Sequence, residues 1–179
     1  EMPQTHLFES KKGPGWFGIE RFDRTPLGKL HMVTVSGLLD CDFRQPCLDY
    51  QTLMVLSNRL SGKKSVIEMF RRAVFNYSIG NFDDHAKNFS FLMNQSGQWR
   101  LAPAYDLVPC PSAVNEHMTS VNGLGRNVSR KEFLRLASKF DIQKEEAVVI
   151  MDEVAEAVSK YPELTLQYGI KRLSFVNPI

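Results

Sequence analysis

Residues 80–92 read GNFDDHAKNFSFL, with Asp83, Asp84 and His85 in a row and Lys87 and Asn88 close behind. A further aspartate, Asp106, follows in PAYDLVP. Two carboxylates and one amide oxygen make a hard-oxygen donor set. Magnesium takes one or two carboxylates and keeps its other positions for water and phosphate. The set therefore suits phosphoryl transfer. One aspartate would accept or orient the proton of the attacking hydroxyl, while the asparagine and the second aspartate would hold the metal against the phosphates.

These residues meet only if the chain brings Asp106 back to Asp83. The periodicity predicts how. Val66, Phe70, Ala73 and Tyr77 follow i, i+4, i+7, i+11 and predict a helix over 64–79. Gly80 is placed to end it. FSFLM (89–93) and QWRLA (98–102), separated by NQSG (94–97), predict a β-hairpin with a four-residue turn. The hairpin returns the chain to its start, so Asp106 should lie near Asp83 and Asn88. The prolines of 103–112 exclude regular helix.

Around this centre, 16–23 (WFGIERFD) reads as a strand and RTPLGK as a loop. Residues 30–39 are mixed. A helix is expected over 48–60, with Leu53, Leu56 and Leu60 on one face. Ser129 with Glu132 forms a capping box for a helix bearing Phe133, Leu136, Ala137 and Phe140. A second helix over 143–160 buries Ala147, Ile150, Met151, Val154 and Val158, and a short one starts near Pro162. The fold class expected is mainly α with a minor β-hairpin.

The chain has 179 residues, of which 43% are hydrophobic, enough for one packed core and against disorder. A net charge of +2 gives no strong pull toward nucleic acid or membrane. No apolar run approaches a membrane span. Cys41, Cys47 and Cys110 are an odd set without a CxxC pair, which reads as reduced thiols in a cytoplasmic protein. EMPQTHLFESKKGPGWFG lacks the order of a signal peptide and reads as the interior of a larger protein.

Asn88 lies five positions after Asp83, the interval found in protein-kinase catalytic loops of the form H-R-D-x-x-x-x-N. Beyond this spacing, NFDDHAKNFSFLMNQSGQWRLAPAYDLVP closely resembles the catalytic segment of the HipA family of bacterial toxin serine/threonine kinases. GIERFDRTPLGKLHM resembles the family's hinge strand, and SGLLDCDFRQPCLDYQTL and HMTSVNGLGRNVSRKEFLRLA are similar to flanking segments. The likeness runs from about Gly18 to Val158. The aspartate–histidine–asparagine signature is shared with phosphatidylinositol-type lipid kinases, and the flanks distinguish the two.

The resemblance implies a C-terminal kinase lobe using ATP and Mg²⁺. Asp83 matches the catalytic aspartate, and Asn88 and Asp106 match the magnesium ligands. His85 and Lys87 belong to the same catalytic loop. Lys87 is placed to touch the γ-phosphate, or else is a solvated loop lysine, and His85 is expected to be hydrogen-bonded beneath the loop. The backbones of Glu20 and Phe22 match the positions that bond adenine. Residues 1–23 are then the hinge-side strand and a remnant of the N-lobe connection. Residues 24–179 are the helical lobe, with catalytic loop 81–88 and metal-binding segment 103–109. The partners implied are a HipB-like helix-turn-helix antitoxin, a protein substrate of the aminoacyl-tRNA synthetase class, DNA only through the antitoxin, and no membrane.

The family's phosphate-covering loop and N-lobe lysine have no counterpart here. GPGWFG is a literal G-x-G-x-x-G at Gly13, Gly15 and Gly18, but it abuts the hinge strand and is discounted as a phosphate loop. The N-lobe would come from a separate polypeptide or from the remainder of a longer one. A non-catalytic docking or regulatory module with a vestigial site, and a small-molecule or lipid kinase, are the alternative readings. Of the remaining polar residues, Asp84 reads as a surface charge, His117 as part of a surface loop, and Arg71 and Arg72 as a solvated helix face. Trp16 and Trp99 read as packing residues. His6 and His31 have no metal spacing.

Overall fold

A computed structural model describes residues 1–13, 15–169, 176 and 179. Pro14 of the GPGWFG stretch and residues 170–175, 177 and 178 at the end of the 24–179 segment lie outside the described residues. The chain opens with a hairpin of β1 (Thr5–Phe8) and β2 (Trp16–Ile19), antiparallel, with Phe8 opposite Trp16 and Thr5 opposite Ile19. The glycines of the discounted motif serve this hairpin. A Cβ on Gly15 would meet the Phe8 carbonyl oxygen at 2.7 Å, and one on Gly18 would meet the Phe8 ring at 2.6 Å. Trp16 is 71% exposed, so it is not the packing residue expected. It lies on a two-stranded ribbon whose residues are nearly all exposed, whereas Trp99 is half-buried against the core.

A small ribbon of β3 (Arg24–Thr25) and β4 (Gly28–Lys29) follows. The mixed stretch then resolves into β5 (His31–Thr34) and α1 (Val35–Leu39), the latter capped by the Thr34 hydroxyl accepting from the Gly37 N–H. After β6 (Leu48–Asp49), α2 (Tyr50–Ser61) begins where Asp49 accepts from the Gln51 N–H at 2.8 Å. A side-chain oxygen at this position satisfies an N–H that the helix itself cannot. The long α3 (Lys63–Ile79) ends at Gly80, which adopts φ 68° and ψ 41° as a left-handed cap.

A 3-10 turn at Ala86–Asn88 leads into β7 (Ser90–Met93) and β8 (Trp99–Leu101). The hairpin is present, but Met93 pairs with Trp99, so the connection runs over 94–98 rather than 94–97. The Asn94 carboxamide oxygen closes it by accepting from the N–H groups of Ser96 and Gln98. Nor does the hairpin stand alone. β5 pairs antiparallel with β7, giving a three-stranded sheet of order β5-β7-β8. β9 (Thr119–Ser120) pairs in parallel with β6.

The chain finishes with α4 (Arg130–Ser138), α5 (Lys144–Ser159) and α6 (Tyr161–Gln167). Ser129 occupies the N-cap of α4 but its hydroxyl makes no cap bond. The Glu132 carboxylate that a capping box would use instead accepts from Asn122 and faces Arg135. α3 packs against α2 on one side and α5 on another, with α4 on α5. Between them lie Leu53, Met54, Phe70, Phe133, Leu136 and Met151, all fully buried. Each such side chain contributes about 1.5–3 kcal/mol by leaving water. This core fixes the end of α3, and the candidate site begins there.

Arg72 departs from the expected solvated face. It is 4% exposed, donating through Nε to Glu68 at 3.0 Å and through Nη2 to the Ala102 carbonyl at 2.8 Å. Arg71 is half-buried and pairs with Glu153 of α5. Among the described residues no helix is long and apolar enough to cross a membrane.

Candidate functional site

Once α3 stops at Gly80, two segments are stitched together. The Phe82 N–H donates to the Cys110 carbonyl at 3.2 Å, and the Cys110 N–H donates to the Gly80 carbonyl at 3.0 Å. This parallel bridge carries 103–109 alongside 81–88, as the hairpin topology predicts. Asn81 adds a side-chain clamp: its amide nitrogen donates to the Asp106 carbonyl at 3.1 Å. Asp106 sits at φ 56°, a left-handed conformation that aspartate tolerates better than most residues.

The loop itself is wound on Asp83. The Asp83 carbonyl accepts from the His85 N–H at 2.8 Å and from Asn88 Nδ2 at 3.0 Å. With its nitrogen engaged, Asn88 keeps its carboxamide oxygen as the atom for a cation. Asn88 and Asp106 line one cavity with Arg72, Asn76, Asn81 and Tyr105. Burial pushes the Cys110 thiol above its ordinary range, and the charges of Asp83 and Asp106 push it further. Both carboxylates therefore lie within electrostatic reach of one thiol. Among the described residues, no group of three or more His, Cys, Asp and Glu side chains is arranged to hold a metal. Two carboxylates and an amide oxygen are a different donor set, and its chemistry fits Mg²⁺ with open positions for water and phosphate.

A second cavity is lined by Glu20, Phe22, Asp23, Met32 and Tyr105. Tyr105 is thus a wall of both. Its ring lies 5.6 Å from that of Phe22, its hydroxyl donates to the Lys87 carbonyl, and it is hydrogen-bonded to the Ser90 hydroxyl. The Glu20 N–H is committed to the Gln4 carbonyl at 2.9 Å.

Lys87 is exposed, with Nζ 3.6 Å from the centre of the Phe43 ring. Arg44 also stands over that ring, and His85 meets it edge-on at 5.2 Å. His85 is not hydrogen-bonded beneath the loop as expected. Its Nδ1 is buried and has no hydrogen-bond partner among the described residues, and its Nε2 lies 4.0 Å from the Asp83 carboxylate. The ring that meets it is that of Phe43, which carries no hydrogen-bond acceptor atom.

Two further readings are overturned. Asp84 is not a surface charge: it is 0% exposed. Its carboxylate accepts from Tyr50 Oη, His117 Nδ1 and the Thr119 N–H, each at 3.1 Å. Its carbonyl accepts from the Thr119 hydroxyl. Burial raises its pKa, while the bonds from His117 and Thr119 draw it back. His117 is likewise buried, at 4%, and its ring stacks on Tyr77 at 3.6 Å. An unpaired buried carboxylate is costly, so the protein supplies it with three donors. The sequence reasoning missed Tyr50, Phe43, Arg72 and Thr119 as neighbours of the site. No local pattern marks them, although an aspartate doublet in which one member must serve chemistry leaves the other free to serve packing.

A family model described as the HipA-like C-terminal domain matches residues 1–161. A protein of Sinorhizobium fredii (strain NBRC 101917 / NGR234) named "Putative kinase Y4dM" is 28% identical over 151 residues, covering 80% of this chain and 36% of that protein. A "Putative kinase" of Haemophilus influenzae (strain ATCC 51907 / DSM 11121 / KW20 / Rd) is 34% identical over 124 residues, covering 62% of this chain and 36% of that protein. In fold, the chain is similar to one in the Shewanella oneidensis MR-1 complex of HipA, HipB and operator DNA. The TM-score is 0.69 at 18% identity, over 98% of this chain and 49% of that one. The chain thus spans 36% of the length of these curated relatives and 49% of the solved chain.

Proposed function

The chain belongs to the HipA-like C-terminal domain family, and on that basis we propose that it is the C-terminal lobe of a serine/threonine protein kinase that transfers the γ-phosphate of ATP to a protein hydroxyl. The observation that carries this reading is the shared wall. Tyr105 borders both the cavity of Glu20 and Phe22 and the cavity of Asn88 and Asp106. An adenine held in the first would direct its phosphates past Tyr105 toward the second.

In this reading the Glu20 carbonyl accepts from the adenine amine, because its N–H is already engaged, and the Phe22 N–H donates to the ring. Asn88 and Asp106 hold Mg²⁺, which neutralises charge on the phosphates. Asp83, whose side chain is 55% exposed, orients the substrate hydroxyl and takes its proton. Lys87 reaches the γ-phosphate only by leaving the Phe43 ring. Catalysis of this kind is chiefly positioning and electrostatic stabilisation, so efficient transfer requires an N-lobe, from a longer form of the protein or a separate polypeptide. A HipB-like helix-turn-helix antitoxin as partner, DNA contact through it, a cytoplasmic location and an aminoacyl-tRNA synthetase as substrate class extend the same proposal. The Shewanella complex, which contains HipB and DNA, supports its first two parts.

Calorimetry tests the reading directly. The chain should bind ATP in the presence of Mg²⁺, and Asp106→Asn should remove the Mg²⁺-dependent part. Absence of such binding, with and without a supplied N-lobe, would overturn the kinase and leave the docking module in its place. Phosphate transfer to a lipid or small molecule but to no protein would move the assignment to that class of kinase.

A further inference from the structure

Beneath the candidate site runs a buried series of hydrogen bonds that the phosphoryl-transfer reading does not use. Asn81 Nδ2 donates to Asn76 Oδ1 at 3.1 Å. Asn76 Nδ2 donates to Tyr50 Oη at 2.8 Å, and Tyr50 Oη donates to the Asp84 carboxylate at 3.1 Å. Asn76, Asn81 and Asp84 are each no more than 2% exposed, and Tyr50 is fully buried. Burial and the Asp84 charge hold the Tyr50 phenol far above its usual range, so it keeps its proton.

The protons can be assigned one by one. Tyr50 receives a bond from Asn76, so its single proton goes to Asp84. Asn76 spends its oxygen on Asn81, so its amide faces Tyr50. Asn81 has two amide protons: one goes to Asn76 and the other to the Asp106 carbonyl at 3.1 Å. From Asn81 through Asn76 to Tyr50 the donors point toward one carboxylate, while the second Asn81 proton turns the other way, to Asp106. Such series polarise in a low-dielectric interior and resist rotation of any one member. Both ends lie at the site. Asp84 is joined by a peptide bond to Asp83, and Asn81 grips the backbone of Asp106.

We propose that Asp84, Tyr50, Asn76 and Asn81 form a positioning relay that fixes the backbone of Asp106, and through it the start of its carboxylate side chain, relative to Asp83 for a shared Mg²⁺–phosphate group. None of the four touches the reacting atoms. Asp84 acts as the fixed anchor, and its further bonds to His117 and Thr119 brace it from the opposite side. The relay rests on the phosphoryl-transfer reading, since it gives the Asp106 backbone clamp its purpose.

The test uses the chain with Tyr50→Phe, which deletes one hydroxyl, and Asn81→Ala, which removes the clamp itself. Thr119→Val serves as the control, because it removes a bond to the Asp84 carbonyl while leaving the relay intact. Two quantities are read for each folded variant: Mn²⁺ affinity by electron paramagnetic resonance, and deuterium uptake by the 103–109 segment against that of α4 and α5. Partners behind metal ligands typically change affinity by about 10- to 100-fold. Tyr50→Phe and Asn81→Ala should each weaken Mn²⁺ binding about tenfold and speed uptake in 103–109 selectively. Thr119→Val should lower the Tm without either change.

Unchanged Mn²⁺ affinity in Tyr50→Phe and Asn81→Ala would overturn the relay, and so would equal losses in all three variants. If Tyr50→Phe does not fold, Asn81→Ala decides alone. Failure of the unaltered chain to bind Mn²⁺ in a manner that Asp106→Asn abolishes would instead overturn the functional reading, and the relay with it. The two failures are told apart by the unaltered chain.

Discussion

Asp83 and Asp84 are consecutive in the chain and opposite in environment: the first side chain is 55% exposed and the second wholly buried. The β-like start of the 3-10 turn, at His85 with φ −79° and ψ 170°, follows directly. Identical chemistry is thereby divided into a group facing solvent and a group facing donors.

The two aspartates should respond differently to substitution. Asp83→Asn should leave unfolding free energy within about 0.5 kcal/mol, as exposed substitutions do, while abolishing the proposed phosphate transfer once an N-lobe is supplied. Asp84→Ala strands Tyr50, His117 and the Thr119 N–H, and should cost about 3–5 kcal/mol. Urea unfolding measures both. A stable Asp84→Ala protein would contradict the burial described above.

Phe43 and Lys87 should be energetically coupled. The ammonium lies 3.6 Å from the ring centre, and exposed contacts of this type contribute about 0.5–1 kcal/mol. A double-mutant cycle with Phe43→Leu and Lys87→Met, read by thermal unfolding, should return a coupling of that size. Zero coupling would mean that Lys87 is held by nothing in solution.

Cys47 should react slowly with alkylating agents. Partial burial first, and the neighbouring Cys41 thiol second, push its pKa up to about 11. At pH 8 only about one molecule in a thousand carries the thiolate, against roughly a quarter for an ordinary thiol. Modification by N-ethylmaleimide, followed by mass spectrometry, should therefore run about two orders of magnitude slower than for a free thiol. It should accelerate about tenfold per pH unit toward pH 11. A rate typical of a free thiol at pH 8 would refute the assignment.

Gly80→Ala should destabilise the chain by about 1 kcal/mol, the cost of placing a Cβ in the left-handed region. The strain falls at the junction of α3 and the loop, where Gly80 has φ 68°. The Tm should drop by a few degrees, and unfolding should stay cooperative.

The helices were legible because their apolar residues recur at helical spacing and because Gly80 marks an end. The hairpin was legible from two β-favouring runs around NQSG. The third strand was not, since His31–Thr34 joins β7 from far along the chain and carries no alternation of its own. The candidate site divides the same way. Asp83, Asn88 and Asp106 declare themselves by type and interval. Asp84, His117 and Arg72 are charged or polar residues that sequence reasoning assigns to solvent, and their burial depends on partners tens of residues away. Trp16 is the converse, an apolar residue left 71% exposed on a ribbon whose residues are nearly all exposed. Local periodicity reports which face an element presents, and it is silent on whether anything arrives to cover that face.

Asp84 finds Tyr50, His117 and Thr119 at separations of 34, 33 and 35 residues, two of them further along the chain. During synthesis, Asp83 leaves the ribosome well before Thr119 does. Until that later stretch has emerged, the Asp84 carboxylate lacks most of its donors and has no reason to turn inward. The growing polypeptide thus carries the acid–base residues of the loop before it carries the bonds that hold Asp84 inward. A chain halted between the hairpin and Thr119 lacks the Thr119 bonds to Asp84, and one halted before His117 lacks the His117 bond as well.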